Sequence, residues 1–534
     1  MNLNIVFSFL PILLLIWLMA KKNGMPSNKA LPLSALVVYF TTLIVFKHSP
    51  NLVHTNVLIG LLEAWKPILI IAGAIFLFKT MEATGSIKIV KQWLNNITEN
   101  KVAQLMIVGW AFPFLIEGAS GFGTPAALAA PILVGLGYNP TKTAILVLIM
   151  NTVPVSFGAV GTPTWYGFSA LPEVNKLSIN ETLNIGFKSA TIHSIIAFFI
   201  VIIALLQVLK MKTILRNGTF IFLSVLCTVL PYWLIARFDY EFPSLIGGSI
   251  GLLSSVFFAQ LGIGLEKKST SSKIILKEKV KASTLLKATF PLWGTILLLI
   301  ITRVPQLGIK PLLRLKTPSL DFSLGSLGDF SLSSSLVVEL QNILNTSEKW
   351  SHELLFIPSI LPFALVSIIT FWLYKNSQNN IKLVWKTTID QMKKPVFSLL
   401  GALVFVSLMM MGGKNSAVNY IGNTLADITG DNWTFFASYL GAIGSFFSGS
   451  ATISNLTFTG IQNSIALETG LDRTTVLALQ SVGGSFGNMI CINNIVAVTS
   501  VLALGNQEGY ILKRTILPTL FYGLLAGIIA ILLF

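Results

Sequence analysis

Charged residues are scarce in this chain, and their scarcity excludes a soluble protein. Only 11% of its 534 residues are Asp, Glu, Lys or Arg, whereas soluble domains carry about 25%. Apolar runs of roughly 20 residues, the length of a helical membrane span, recur along the whole chain. They do not alternate with polar residues as barrel strands do. We therefore expect an all-α polytopic membrane protein with about 12 to 14 transmembrane helices.

Cysteine and histidine are also rare, which argues against disulfides, metal sites and most catalytic sites. Cys227 and Cys491, the only two cysteines, both lie in apolar runs, so we expect no disulfide. With four histidines in the chain, we expect no metal. A Walker loop and a CxxC pair are missing. We expect no cofactor and no enzyme, and transport without a nucleotide site must be driven by a gradient.

The net charge of +16 could suggest a nucleic-acid partner, but the positions of the basic residues favour a membrane topology instead. Lys and Arg cluster in short loops between apolar runs, as the positive-inside rule requires, so we expect no nucleic acid. Placing these loops in the cytoplasm puts both termini outside. It also makes residues 304–352 an external loop, with a possible interfacial helix around 333–345. This loop separates an N-terminal half, 1–303, from a C-terminal half, 353–534.

The two halves contain an internal repeat. Residues 66–85 read KPILIIAGAIFLFKTMEATG, and residues 394–413 read KPVFSLLGALVFVSLMMMGG, with identical residues at Lys, Pro, Gly, Ala, Met and Gly positions. Two further matches follow in the same order, which defines repeat cores of about 66–167 and 394–497. The charge rule makes the two copies antiparallel. The pattern predicts two inverted-topology repeats, the arrangement of secondary transporters with substrate at the midplane.

Each repeat contains two predicted helix breaks, which we interpret as re-entrant or broken helices. They lie at 118–125 and 154–164 in the first repeat and at 448–455 and 483–488 in the second. Gly lets a backbone approach a ligand, Pro interrupts the helical ladder, and Ser, Thr and Asn supply hydrogen bonds. Helix N-termini exposed at such breaks favour a small anion. Close helix packing through small residues is the alternative explanation.

The polar and glycine residues of these breaks are the candidate substrate-binding residues. They are Ser120, Gly121, Gly123, Thr124, Ser156, Gly158, Thr162, Ser448, Gly449, Ser450, Thr452, Asn455, Ser485, Gly487 and Asn488. Ionisable residues within spans are functional candidates by default. Glu117 directly precedes the first break and is the main candidate for proton coupling. His193 lies in a span and is either a second proton-coupling residue or a satisfied polar contact.

The motif LIEGASGFGTPAALAAPILVGLGYNPTKTAILVLIMNTVPVSFGAVGTPTWYG (Leu115–Gly167) closely resembles the bacterial L-lactate permease family. The motif GAIGSFFSGSATISNLTFTGIQ (Gly441–Gln462) and the length also resemble that family. The resemblance implies a plasma-membrane carrier that takes up lactate and glycolate with protons. It also implies a distant relation to organic-anion carriers with re-entrant hairpins, often built on a dimeric scaffold, so a homodimer is a possible assembly. By motif position, the substrate carboxylate would bind at Ser120–Thr124 and Ser448–Asn455.

The physics of anion uptake agrees with proton coupling. A carboxylic acid with a pKa of about 4 is anionic at pH 7, and an inside-negative membrane opposes its uptake by about 2.3 kcal/mol per 100 mV. One co-transported proton removes this electrical cost. A sodium-coupled carrier of a dicarboxylate is the first alternative, because broken helices can also hold Na⁺. A membrane-embedded enzyme and a channel are weaker alternatives.

Overall fold

The fold was analysed in a computed structural model of the chain, which is mainly helical. The structure describes residues 3–20, 25–121, 124–171, 175–266, 280–303, 307–357, 359–375, 378–502, 504 and 507–534. Within these residues, the predicted all-α membrane class is confirmed.

Helices make up most of the described chain. In chain order they are α1 (Leu3–Ala20), α2 (Ser27–Ile44), α3 (Pro50–Glu63), α4 (Trp65–Ala83), α5 (Ser86–Asn95), α6 (Lys101–Gln104), α7 (Phe112–Ser120), α8 (Thr124–Gly135), α9 (Pro140–Met150), α10 (Gly158–Trp165), α11 (Ile179–Leu206), α12 (Met211–Arg216), α13 (Gly218–Ala236), α14 (Pro243–Leu261), α15 (Ala282–Arg303), α16 (Ile309–Leu312), α17 (Val366–Leu373), α18 (Gln378–Met410), α19 (Ala417–Thr429), α20 (Trp433–Ser448), α21 (Ala451–Thr469), α22 (Arg473–Phe486), α23 (Ile492–Val501) and α24 (Glu508–Leu533). A π-helical turn, Leu105–Ala111, joins α6 to α7, and 3₁₀ turns at Val153–Phe157 and Gly487–Met489 precede α10 and follow α22.

Fewer helices are long and apolar enough to cross a membrane than the 12 to 14 that the sequence predicts. Six helices of the described part meet that test, or seven if α9 and Val153–Trp165, which are bent by 46°, form one span. The prediction counts apolar runs, whereas the test counts straight helices of at least 18 described residues. Several runs are divided by breaks, and three apolar helices are only 10–17 residues long.

The expectation of an interfacial helix around 333–345 is wrong. This region belongs to a four-stranded antiparallel sheet of order β1-β2-β3-β4. Its strands are β1 (Ser319–Ser323), β2 (Asp329–Ser333), β3 (Val337–Gln341) and β4 (Trp350–Glu353). Alternating apolar residues such as Phe330 and Leu332 suit a strand, and the sheet packs Leu340, Ile343 and Trp350 against α3.

The chain divides into two compact units, and each takes segments from both sequence halves. One unit comprises Met1–Lys88 and Leu286–Thr424, and the other Ile89–Leu285 and Leu425–Phe534. The first unit contains both copies of the Lys-Pro repeat, at 66–85 and 394–413. All four predicted helix breaks fall in the second unit.

Glycines allow the helices of the second unit to pack with little space between them. A Cβ at Gly118 of α7 would lie 2.6 Å from the Leu245 nitrogen of α14, and a Cβ at Gly248 would lie 2.5 Å from the Leu115 Cα. Helices α20 and α22 approach as closely, because a Cβ at Gly483 would lie 1.8 Å from the Ser438 carbonyl oxygen. At these positions the packing explanation of the small residues holds.

Gly483→Ala should destabilise the second unit, because its methyl group overlaps the Ser438 carbonyl and forces α20 and α22 apart. Overpacking of this kind costs about 1–3 kcal/mol. The expected result is a lower midpoint of thermal unfolding for the purified protein in detergent. Gly135→Ala is the matched control, since nothing lies within 4 Å of a Cβ at that position. Equal midpoints for the two variants would contradict the packing argument.

Candidate functional site

A small cavity in the second unit brings residues of all four predicted breaks together with residues just outside them. It is lined by Glu117, Gly121, Asn151, Val155, Gly158, Ala159, Pro163, Gly449, Ser450, Ala451, Thr452 and Asn488. Its volume is about 20 Å³, close to what one water molecule needs. The lining therefore comes from both sequence halves.

The first break places a carboxyl group in this cavity. Helix α7 continues through Ser120 and ends where Gly121 adopts a φ of 64°, a conformation that costs other residues free energy. Glu117, one turn earlier, is 2% exposed. Its Oε2 accepts a hydrogen bond of 2.9 Å from the Asn151 Nδ2. Gly158 makes room for the carboxyl, because a Cβ there would lie 2.7 Å from the Glu117 Oε1.

The third break places a helix N-terminus in the same cavity. Helix α20 ends at Ser448, Gly449 adopts a φ of 72°, and α21 begins at Ala451. Ser450 caps α21, since its hydroxyl accepts a hydrogen bond of 3.3 Å from the Ile453 N–H. The first N–H groups of a helix have no partner within the helix and carry partial positive charge. Ala451 and Thr452, whose N–H groups are of this kind, line the cavity.

The second break, between α9 and α10, is held together by side chains that bond its backbone carbonyls. Ala159 and Val160 have φ values of 44° and 57°, so regular helical bonding is interrupted there. Tyr232 donates to the Val153 carbonyl at 3.2 Å and Ser244 to the Pro154 carbonyl at 2.7 Å. Within the same segment, Thr164 and Trp165 donate to the Ser156 and Val160 carbonyls at 2.7 and 3.0 Å. These bonds satisfy groups that would otherwise be unpaired inside a membrane.

A second polar cluster lies behind this break and does not line the cavity. The Ser156 hydroxyl is 2.9 Å from the His193 Nε2, 2.9 Å from the Ser481 hydroxyl and 2.8 Å from the Ser485 hydroxyl. The His193 Nδ1 is 2.6 Å from the Tyr522 hydroxyl. All five side chains have no measurable exposure. Each ring nitrogen of His193 therefore has one partner, as a neutral imidazole requires.

The fourth predicted break begins later than the sequence suggests. Helix α22 continues through Gly483 and Gly484 and ends at Phe486. Gly487 faces α20, because a Cβ there would lie 2.2 Å from the Ser445 hydroxyl. Asn488 does line the cavity, but its own Nδ2 donates to the Gly484 carbonyl at 3.1 Å.

Three further predicted residues, Thr162, Asn455 and Ser448, lie outside the cavity lining. Thr162 donates to the Ala159 carbonyl, and Asn455 donates to the Pro163 carbonyl at 2.9 Å. Ser448 donates to the Gly444 carbonyl at 2.8 Å. Gly123 lies outside the described residues, and so do the side chains of Ser120 and Thr124.

Sequence reasoning missed Asn151, which binds the carboxyl of Glu117. Asn151 directly follows the apolar run that forms α9. A single amide at the end of such a run is the only feature of the sequence that indicates this residue. The apolar lining residues Val155, Ala159, Pro163 and Ala451 carry no signal in their side-chain chemistry.

Two ion pairs join the N-terminus of α22 to α11. They pair the charged side chains at this end of α22 with charged side chains of α11. The Lys188 Nζ lies 2.5 Å from the Asp472 carboxylate, and Arg473 pairs with Glu181. Burial alone would raise the pKa of Asp472. Hydrogen bonds from Lys188, Thr474 and Thr475 outweigh this effect and hold the pKa well below its usual range. Arg473 is therefore engaged in an ion pair and does not line the cavity.

The His193–Tyr522 contact can be tested by a double-mutant cycle. His193→Leu leaves buried hydroxyls with fewer partners, and Tyr522→Phe removes the partner of the His193 Nδ1, so each should lower stability. The double variant removes both groups, and it should lose less than the sum of the single changes, with a coupling of about 1 kcal/mol. Thermal unfolding of the purified proteins measures this. Strict additivity would show that the contact contributes nothing.

Comparisons with known proteins place the chain in a family. It is 49% identical over 531 residues to a Haemophilus influenzae protein provisionally named L-lactate permease, and the match covers 99% of this chain and 98% of the relative. It is 25% identical to the glycolate permease GlcA of Escherichia coli, over 88% of this chain and 84% of GlcA. The solved structure of the Neisseria gonorrhoeae efflux pump MtrF aligns with 99% of this chain and 94% of its own, at 13% identity and a TM-score of 0.42. The family model of L-lactate permease matches residues 4–534, and the chain therefore belongs to the L-lactate permease family.

Proposed function

We propose that the protein is a secondary active transporter that takes up L-lactate, and also D-lactate and glycolate, across the bacterial plasma membrane by proton symport. The observation that carries this proposal is one cavity that contains both a carboxyl group, Glu117, and a helix N-terminus suited to an anion, at Ala451 and Thr452. The family and its relatives support the choice of lactate and glycolate. Dimerisation and the external position of both termini stay predictions.

The cavity gives a physical reason for coupling. A substrate carboxylate can bind the N–H groups of Ala451 and Thr452 and the Ser450 hydroxyl. An ionised Glu117 in the same small space would repel it. Substrate therefore binds best when Glu117 carries a proton, and by linkage bound substrate favours the proton equally. The proton and the anion then cross together.

The cavity must widen for this function, since a volume of about 20 Å³ holds about one water molecule. The glycine breaks at Gly121 and Gly449 lie at its boundary. We propose that they change conformation to admit substrate, as the broken helices of transporters do.

The enzyme alternative gains one observation, because Ser156 and His193 lie at the distance of a nucleophile and its base, 2.9 Å. Both side chains are fully buried, however, and neither lines the cavity. The hydroxyl already has partners in Ser481 and Ser485. Ser156 and His193 fit a closed structural contact better than a catalytic pair, and proton coupling through His193 stays a prediction.

Uptake by purified protein in proteoliposomes tests the function. With an imposed inward proton gradient, labelled L-lactate should accumulate, a protonophore should abolish accumulation, and replacing sodium with choline should have no effect. A strict sodium requirement would favour the sodium-coupled alternative. Failure to accumulate lactate or glycolate under any gradient would reject the proposal.

Glu117→Gln should separate substrate movement from proton movement. The amide keeps the size of the side chain but cannot release a proton, so accumulation driven by a pH gradient should fall by about 10-fold or more. Exchange of labelled for unlabelled lactate should continue, because that process needs no net proton movement. Glu468→Gln is the matched control, since Glu468 is exposed in the same unit. Normal gradient-driven uptake by Glu117→Gln would remove Glu117 from the coupling role.

A further inference from the structure

Asn151 is a buried residue of the cavity lining. Of its side-chain amide, the NH₂ group has a hydrogen-bond partner, and the oxygen has none among the described residues. Asn151 follows the last residue of α9, and its backbone N–H donates to the Val147 carbonyl at 3.1 Å, which fixes its position. The side chain is 6% exposed. Its Nδ2 donates to Glu117, whereas its Oδ1 is buried and has no hydrogen-bond partner within the described part of the chain.

The carboxyl of Glu117 favours this orientation. An ionised carboxylate accepts hydrogen bonds at both oxygens, and a protonated one still accepts at its carbonyl oxygen, so in either state the amide can turn its NH₂ group toward Glu117. The planar amide then directs its carbonyl oxygen elsewhere. A buried oxygen without a donor costs free energy, and a binding site can recover that cost only through a ligand that brings a donor.

We infer that Asn151 is the residue that selects 2-hydroxy acids, by accepting a hydrogen bond from the substrate hydroxyl at its Oδ1. This inference rests on the proposed function. At neutral pH the carboxylate of lactate or glycolate only accepts hydrogen bonds, so the 2-hydroxyl is the single donor in either molecule. The carboxylate belongs at Ala451 and Thr452, and the hydroxyl at Asn151. Val155 and Ala159 give apolar surface for the methyl group that lactate has and glycolate lacks.

The donor requirement can be tested on the unmodified protein. Unlabelled competitors are added to proteoliposomes that take up labelled L-lactate. Glycolate should compete well. Propionate, which lacks the hydroxyl, and pyruvate, whose 2-oxo group only accepts, should each compete at least about 10-fold more weakly than L-lactate. If pyruvate competes as well as lactate, the inference is wrong, because the protein then does not require a hydrogen-bond donor on the substrate.

A variant pair assigns the selection to Asn151. Asn151→Ala removes both halves of the amide. Loss of the Nδ2 contact affects all substrates alike, but loss of the Oδ1 should reduce the lactate-to-propionate preference by about 10-fold. Asn463→Ala is the control, because Asn463 also has a buried Oδ1 without a partner in the described residues but does not line the cavity. It should keep the wild-type preference.

The outcomes distinguish a failure of the proposed function from a failure of the role inferred for Asn151. Wild-type protein that takes up no lactate contradicts the proposed function itself. Lactate uptake with an unchanged preference in folded Asn151→Ala contradicts only the role of Asn151. If Asn151→Ala does not fold, the wild-type comparison of lactate with pyruvate still decides whether a donor is read.

Discussion

The need to satisfy backbone groups freed at helix breaks is the constraint on which the second unit depends. A break at membrane depth exposes carbonyl and N–H groups that find no water there. Four carbonyls in this break, those of Val153, Pro154, Ser156 and Val160, accept hydrogen bonds from Tyr232, Ser244, Thr164 and Trp165, respectively. Because side chains satisfy these groups, the backbone can leave helical geometry beside the cavity. Within the described residues, a ligand can bind at the start of α21, where the first N–H groups have no partner within the helix, and at the Asn151 Oδ1, which has no hydrogen-bond partner.

This constraint explains which part of the site the sequence could predict. Glu117, Gly121 and Gly449 lie at interruptions of long apolar runs, where a carboxylate is costly and a glycine permits positive φ. Those positions were predicted, and the structure places all three in the cavity lining. Asn455, Thr162 and Ser448 have the same composition signal but bond backbone carbonyls instead. Composition cannot distinguish a side chain that binds substrate from one that satisfies the backbone.

Tertiary contacts account for most of what could not be predicted. Asn151 and Glu117 are 34 residues apart, and only the fold brings them together. Gly487, a candidate substrate-binding residue, also lies at a close contact with α20. The helical class followed from composition, whereas the number of straight spans did not, because a run of apolar residues does not reveal where a helix bends. The small sheet was not predicted. A helix was expected at 333–345, and part of that region forms strands.

The segment between α9 and α10 faces two different environments, and this difference indicates where the site can move. Val155 and Gly158 line the cavity, while Ser156 bonds His193, Ser481 and Ser485 on its other side. Any displacement of this segment would break several buried hydrogen bonds at once, and each buried group left unpaired is costly. Gly121 and Gly449 carry no side chain, and glycine can exchange between positive and negative φ at little cost. Widening of the cavity is therefore expected at the two glycine breaks, against a segment that Ser156 keeps in place.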